Sequence, residues 1–549
     1  MKPALSDQKL RGGYYTPRPI ADFFARWAIK KALTKVLEPS CGDGIILESV
    51  AKTLLDLGTS KKDLHNLILG IEIEPRELLK AEKRLRDLGI SIGPATFHKG
   101  DFFSYCKSHL SDVRKFDAVV GNPPFIRYQN FLEEHRAIAF KLMEVVGLHP
   151  NRLTNSWVPF LVASSLLLNE QGKLAMVIPA ELFQVNYAAE IRKFLSDFYS
   201  KLTLITFKKL VFEGIQQEIV LLLGERNSSK QSGIRTIELE SIEDIKSYEY
   251  GDFSDSELKP IDHSKEKWTQ YFLHTDEILL LRDLRNDQRL TKMGDVINVD
   301  VGVVTGENRF FVLNEQQVRE YHLRNYVQAI VSRSGHAGGI VFSKKDWQNN
   351  ISKQYQTFLL NTPDKPFEKQ SMAVKSYIRK GEVENVHKGY KCRIRKRWFV
   401  VPSIWNPHVF ILRQVHGYSK LILNDAEATC TDTVHRGNFV DIKQKKKITA
   451  AFLNSLTFAF AEVSGRSYGG GVLTFEPSEI ESLPIPLINA GKINFQEIDH
   501  LVRENDIISV LNLNDELLLK QGLGLSINKI MMLRNIWEKL RDRRINRKH

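Results

Sequence analysis

Between Thr34 and Leu223 the chain alternates short apolar runs with longer stretches of helical period. The runs at 32–40 (ALTKVLEPS), 67–75 (LILGIEIEP), 116–125 (FDAVVGNPPF), 172–180 (GKLAMVIPA), 201–207 (KLTLITF) and 218–224 (EIVLLLG) are nearly continuous in hydrophobic residues. That pattern predicts strands buried on both faces, with the intervening helices covering a mostly parallel sheet. The first part of the chain is therefore expected to be an α/β domain. Several of these runs stop at Gly, Pro, Asp or Glu, and in open α/β sheets the ligand crevice lies outside the carboxyl ends of the strands.

The rhythm ends at 225–233 (ERNSSKQSG), and the acidic stretch 237–257 that follows reads as an irregular connector. Beyond Met293 the patterns become β-rich, as in 296–306 (VINVDVGVVTG) and 393–402 (RIRKRWFVVP), without a further strand–helix alternation. The last fifty or so residues turn helical and end in a basic segment, expected to be a solvated helix with a frayed tail. The expected organisation is an α/β domain over 1–240, a connector over 241–290, a mixed, β-rich domain over 291–490 and a helical basic segment over 491–549. With 549 residues, two large units plus a small appendage fit ordinary domain sizes.

The formal charge of +13 points toward a polyanionic partner. Membrane binding is disfavoured, because no apolar run approaches ~20 residues. The N-terminus carries no apolar signal core, so a cytoplasmic location is expected. Cys41, Cys106, Cys392 and Cys430 are widely separated and never form CxxC, which supports neither a disulfide framework nor a zinc cluster. No metal is expected.

The first strand runs into Glu38-Pro39-Ser40-Cys41-Gly42-Asp43-Gly44, which places both glycines at a strand-to-helix turn where backbone can approach a ligand. The second strand ends in Glu72, an acceptor suited to a ribose diol. Neither GxGxxG nor GxxxxGK[ST] is present, so a cofactor with ribose but no phosphate fits better than a dinucleotide or triphosphate. After the third strand, Asp101 is placed to accept from an adenine amino group and Phe102 to pack on the purine, although an Asp in that position is also an ordinary helix cap.

The sharpest motif is Gly121-Asn122-Pro123-Pro124-Phe125. A rigid turn explains its prolines but not the flanking aromatic. The amino nitrogen of an aromatic base is a poor nucleophile because its lone pair is conjugated into the ring. If the Asn122 amide oxygen and the Pro123 carbonyl accept both amino hydrogens, the nitrogen pyramidalises and aims its lone pair at an electrophilic methyl. Fixed acceptors also stabilise the positive charge developing on nitrogen, and Phe125 can stack on a base flipped out of its duplex. Cytosine C5 chemistry needs a thiolate, usually presented after proline, and none of the four cysteines follows a proline.

In their order, Gly13-Tyr14-Tyr15-Thr16-Pro17, EPSCGDG, IEIEP, GDFF, GNPPF and a large variable C-terminal region, these motifs resemble the gamma-ordered adenine-specific DNA methyltransferases of bacterial restriction-modification systems. The resemblance spans most of the chain and implies a Rossmann-like, S-adenosylmethionine-dependent methyltransferase domain followed by a β-rich target-recognition domain. It further implies that Thr16, Glu38 and residues Ser40 to Gly44, Gly42 included, border the methionine end of S-adenosylmethionine. By the same resemblance Glu72 holds the ribose, Asp101 and Phe102 hold the adenine, and Asn122, Pro123 and Phe125 are catalytic. Phe212 would stack on the flipped base opposite Phe125. Ile46 and Phe125 stand where the family often has Phe and frequently has Tyr, and both keep an apolar surface. Asn in the first position of the motif favours adenine over cytosine.

The implied partner is double-stranded DNA, with any cognate restriction endonuclease a separate protein, since no convincing nuclease motif is present. In an extended strand Arg393, Arg395 and Arg397 would share one face with Lys391 nearby, forming either a DNA-contacting surface or a solvated edge. Amino methyltransferases acting on ribosomal guanine or on protein glutamine also carry NPP followed by an aromatic. They are typically shorter and need neither the YYTP segment nor a basic second domain. A decayed, non-catalytic DNA-binding subunit is disfavoured by the intact Asn122, Asp101 and Glu72.

Overall fold

The computed structural model describes residues 15–93, 95–109, 115–209, 211, 218–227, 232–248, 252–264, 266–468 and 470–546. The chain divides into two compact units, the first running to Thr275 and the second spanning Asp276–Ile545.

The first unit is built on an eight-stranded sheet in the order β3-β2-β1-β4-β5-β7-β6-β8. Its strands are β1 (Val36–Glu38), β2 (Ile68–Glu72), β3 (Phe97–Lys99), β4 (Phe116–Gly121), β5 (Leu168–Pro179), β6 (Lys201–Phe207), β7 (Ile219–Glu225) and β8 (Gly233–Leu239). Every neighbouring pair is parallel except the two that β7 makes, with β5 and with β6. All six apolar runs fall on strands of this sheet, as expected of segments buried on both faces. The strand order reverses between β1 and β4, so the crevice at their carboxyl ends is where a ligand is expected.

Five helices frame that crevice. They are α1 (Arg18–Ala28), α2 (Ile45–Asp56), α3 (Pro75–Asp87), α4 (Phe102–His109) and, after β4, α5 (Glu133–Glu144). A sixth, α6 (Trp157–Leu166), has nearly all its residues buried and precedes β5. Helix α1 contributes Ile20, Phe23, Phe24 and Trp27 to the core shared with α2 and the sheet.

The connector expected over 241–290 is not a connector. β8 pairs with β6 from Lys201↔Gly233 to Phe207↔Leu239, and beyond it Trp268 and Tyr271 are fully buried. Lys259 Nζ and Thr236 Oγ1 both donate to the Tyr271 carbonyl, at 2.6 and 2.7 Å, which ties this segment to the sheet. The acidic residues of the segment are interleaved with buried Ile234, Ile237, Leu239 and Ile245, so the charge masked a half-buried strand.

The second unit is mixed. One sheet has the order Ile297–Val301, Val434–Phe439, Val409–Leu412, Leu421–Asn424 and Val341–Phe342, and a four-stranded one has the order Val312–Leu313, Phe358–Leu360, Val327–Val331 and Thr429–Cys430. The basic C-terminal segment is not a solvated appendage. Helix Ile527–Ile545 buries Ile530, Leu533, Ile536, Trp537 and Leu540, with Trp537 5.2 Å from Phe458 between ring centroids. Arg544 and Glu462, both buried, pair at 2.7 Å. The apolar stripe of this helix outweighs the charges that dominate its sequence.

Candidate active site

The turn after β1 brings Glu38 to Gly44 over the carboxyl edge of the sheet. Gly42 and Gly44 have φ of 52° and 80°, a region glycine enters at little cost. Their reasons differ. A Cβ on Gly44 would lie 2.6 Å from Ala81 Cβ on α3, whereas a Cβ on Gly42 would meet nothing within 4 Å. Gly44 is needed for helix packing and Gly42 faces open space. The Gly42 N–H donates to Glu72 Oε2 at 2.8 Å, and the Glu74 N–H donates to Glu72 Oε1 at 2.8 Å. Each carboxylate oxygen retains a second lone pair for a diol.

Three carboxylates converge here. Asp43 is paired with Arg84 at 2.5 Å. Glu38 is 2% exposed, and its Oε2 has no hydrogen-bond partner. Burial, followed by the neighbouring Asp43 and Glu72, holds the Glu38 carboxyl well above the usual range. Burial also raises Glu72, against hydrogen bonds from the backbone of Glu74 and Gly42. A buried carboxylate with an unused oxygen favours a cationic ligand, so the open space at Gly42 and the orphaned oxygen of Glu38 fit the cationic end of S-adenosylmethionine. Ile73, next to Glu72, is 53% exposed. Sequence reasoning missed it, though an apolar residue between two acids at the end of a buried strand was a usable signal for a purine platform.

The structure revises the roles expected of Asp101 and Phe102. Asp101 Oδ1 accepts from the Ser104 N–H at 2.9 Å and from its hydroxyl at 3.1 Å, capping α4, while Oδ2 lies 3.5 Å from His135 Nδ1. Phe102 is 2% exposed and stacks on Phe160, with centroids 5.1 Å apart and planes at 13°. It is part of the core and presents no free face to a purine.

At the end of β4, Asn122 is half-buried, Pro123 is buried and Phe125 leans on the core of the unit while staying partly accessible. Ser156, fully buried at the start of α6, staples this loop. Its N–H donates to the Ile126 carbonyl at 2.9 Å, its Oγ accepts from the Ile126 N–H at 2.8 Å, and the same hydroxyl donates to the Pro124 carbonyl. Nothing in the sequence marks Ser156 for this task. Asn122 Nδ2 donates to Thr16 Oγ1 at 3.2 Å, and the Ser40 hydroxyl lies 3.4 Å from the Asn122 carbonyl. Thr16, Ser40 and Asn122 thus meet at one point. Phe212 lies outside the described residues.

In the second unit, the basic run is not a strand. Tyr390–Arg393 is a helical turn opened by Gly389, and bends and turns follow it. Arg395 donates to the carbonyls of Val304 and Thr305 at 2.9 and 2.7 Å, and Arg397 pairs with Asp364. Lys388, Lys391, Arg393 and Lys396 are exposed, and Tyr390 and Ile394 stand among them at 65% and 60% exposure.

Residues 2–286 match the family model for N-6 DNA methylases. The chain belongs to the N-6 DNA methylase family. Residues 265–519 of this N-6 DNA methylase match the model of the C-terminal domain of the Type II methyltransferase M.Eco57I, in keeping with a first unit that ends at Thr275. The chain is 22% identical over 545 residues to the Type II methyltransferase M.AccI of Acinetobacter calcoaceticus, covering 94% of this chain and 93% of that one. It is 24% identical over 347 residues to M.HindII of Haemophilus influenzae, covering 60% of each. Its fold is shared with the Type IIL restriction-modification enzyme MmeI in a DNA complex, at a TM-score of 0.58 and 11% identity, over 93% of this chain and 73% of that one. The DrdV–DNA complex gives 0.52 and 12% over 90% and 57%. This N-6 DNA methylase is a restriction-modification type adenine DNA methyltransferase with the S-adenosylmethionine-dependent methyltransferase fold. Among the described residues no helix is long and apolar enough to cross a membrane.

Proposed function

We propose that this N-6 DNA methylase modifies the exocyclic amino group of an adenine flipped out of duplex DNA at a specific sequence, as the modification component of a restriction-modification system. The observation that carries this reading is the meeting, at the point where the strand order reverses, of the Glu38–Gly44 turn and the Asn122–Phe125 loop. When bound, S-adenosylmethionine supplies an electrophilic methyl on a sulfonium centre. Glu38 and the backbone around Gly42 hold its cationic end, Glu72 holds the ribose diol and Ile73 offers the purine an apolar surface. Thr16 and Ser40 line the same end of the cavity.

The Asn122 amide oxygen and the Pro123 carbonyl accept the two amino hydrogens of the base. That pulls the nitrogen out of conjugation and favours the charge it gains as the methyl arrives. The loop is held by buried Ser156, so the acceptors need little rearrangement during the reaction. Phe125 stacks on the adenine, and Phe212 is assigned the opposite face. The transferred methyl leaves the amine with an extra proton, which is lost to solvent after transfer, so no strong base is required beforehand. In the second unit the exposed Lys388, Lys391, Arg393 and Lys396 are the DNA-facing cations of their segment, with Arg395 and Arg397 bracing the turn that presents them. The enzyme works in the cytoplasm on nucleoid DNA, and a cognate endonuclease is a separate protein.

Mass spectrometry of nucleosides from DNA of cells producing the protein tests this reading. N6-methyladenine confined to one sequence, and missing when Asn122→Ala is produced instead, is the expected result. Methylation confined to cytosine, to ribosomal guanine or to a protein glutamine would overturn it.

A further inference from the structure

We propose that Thr16 is a positioning residue for the catalytic amide, its hydroxyl fixing which end of the Asn122 side chain faces the reacting amino group. The inference rests on the reading of Asn122 as an acceptor. An amide oxygen and an amide NH2 are nearly the same size, so the shape of a turn does not choose between them. The choice decides catalysis. With Oδ1 toward the base, Asn122 accepts an amino hydrogen. With Nδ2 toward the base, two donors oppose each other and the nitrogen stays conjugated. Pro123 needs no such device, because a backbone carbonyl in a buried turn cannot exchange places with a donor.

Thr16 supplies the missing asymmetry. Asn122 Nδ2 donates to Thr16 Oγ1 at 3.2 Å, so Oδ1 occupies the arm of the amide turned away from Thr16. Thr16 is 5% exposed and is held from both sides. The Tyr15 hydroxyl donates to Glu77 Oε2 at 3.1 Å on α3, and Arg18 pairs with Glu48 at 2.7 Å on α2. Pro17, with φ of −59°, fixes the backbone between them as α1 begins. The acceptor is therefore anchored to the core of the unit although it lies 106 residues from Asn122 in sequence. A role confined to holding the cofactor, which the family resemblance implies for Thr16, makes a different prediction.

Thr16→Val keeps the shape and removes the hydroxyl, and Thr16→Ser restores it. Both would be compared in the full-length protein by calorimetric binding of S-adenosylmethionine and by single-turnover methylation of a duplex at saturating cofactor and DNA. Thr16→Val should slow methylation by about 10- to 100-fold, the scale expected of a misdirected reacting group, with the cofactor dissociation constant within about 3-fold of wild type. Intact cofactor binding reports a folded domain. Thr16→Ser should recover most of the rate. Weakened cofactor binding with an unchanged rate at saturation would overturn the proposal and make Thr16 a cofactor contact. A wild-type rate and affinity, or a serine variant as slow as the valine one, would also overturn it. Failure of the underlying reading is distinct, because Asn122→Ala would then retain activity whatever Thr16 does.

Discussion

The two glycines of the turn after β1 should fail in opposite ways when each is replaced by alanine. At Gly44 the new Cβ would stand 2.6 Å from Ala81 Cβ and 2.7 Å from its Cα, against an ordinary contact of 3.4–4 Å, so α2 and α3 must separate. Overpacking of this kind costs about 1–3 kcal/mol, and the left-handed backbone at φ 80° adds about 1–2 kcal/mol for a residue with a Cβ. Together these are about 2–5 kcal/mol, or a fall in Tm of roughly 4–20 °C at about 2–4 °C per kcal/mol for a unit of this size. At Gly42, where φ is 52° and nothing lies within 4 Å of the added Cβ, only the backbone cost of about 1–2 kcal/mol applies. The methyl group there enters the space assigned to the cofactor. Thermal melts without cofactor and calorimetric titration with S-adenosylmethionine separate the two effects. Gly44→Ala should melt well below Gly42→Ala, and Gly42→Ala should lose at least about 10-fold in affinity, some 1.4 kcal/mol. Equal melting temperatures, or Gly42→Ala binding as tightly as wild type, would refute the assignment of these positions.

The Glu38 carboxyl is raised by burial and by Asp43 and Glu72, so the folded state holds its proton more tightly than the unfolded chain does. Its destabilising effect is absent below the unfolded value of about 4.3, grows as pH rises toward the folded value and is constant above it. In cofactor-free protein Glu38→Gln should therefore melt higher than wild type at pH 8, the gap closing as pH falls toward 5, while affinity for S-adenosylmethionine drops at pH 8; a pH-independent gap in Tm would contradict the account. For the basic turn, replacing Lys391 and Arg393 together by Ala should flatten the salt dependence of DNA binding by roughly 0.9 per lost phosphate contact without lowering Tm. Arg395→Ala should lower Tm, because it strands the carbonyls of Val304 and Thr305; an unchanged salt slope in the double variant would leave the turn a solvated surface.

The sheet was readable because strands covered on both faces appear as apolar runs, and because the turns at 38–44 and 121–125 punctuate two of them. β8 was hidden by acidic residues on its accessible side, since charge was weighed ahead of the alternation of Ile237 and Leu239. The strands of the second unit are two to six residues long, too short for a period to declare itself. There the run Arg393, Arg395, Arg397 imitated the alternation of a strand. Buried Cys392 and Phe399 flank a turn in which Arg395 folds back on Val304 and Thr305. Of the site, the motif residues were legible one by one, but their joints were not. Ser156 on the 121–126 loop, the Gly42 link to Glu72 and the Thr16 bond to Asn122 join residues 30 to 106 positions apart. Phe102 was misassigned because an aromatic after a capping Asp looks the same whether it faces a ligand or, as here, Phe160.

The central claim is that Asn122 acts on the transition state of amino methylation. Single-turnover methylation of a duplex carrying the target sequence, at saturating cofactor and DNA, measures this directly for wild type and Asn122→Ala. The account predicts a rate lower by about 100- to 1000-fold, the scale of removing one fixed group that stabilises developing charge, with the dissociation constants for S-adenosylmethionine and DNA each within about 3-fold of wild type. An unchanged rate, or a loss explained entirely by weaker cofactor binding, would contradict it.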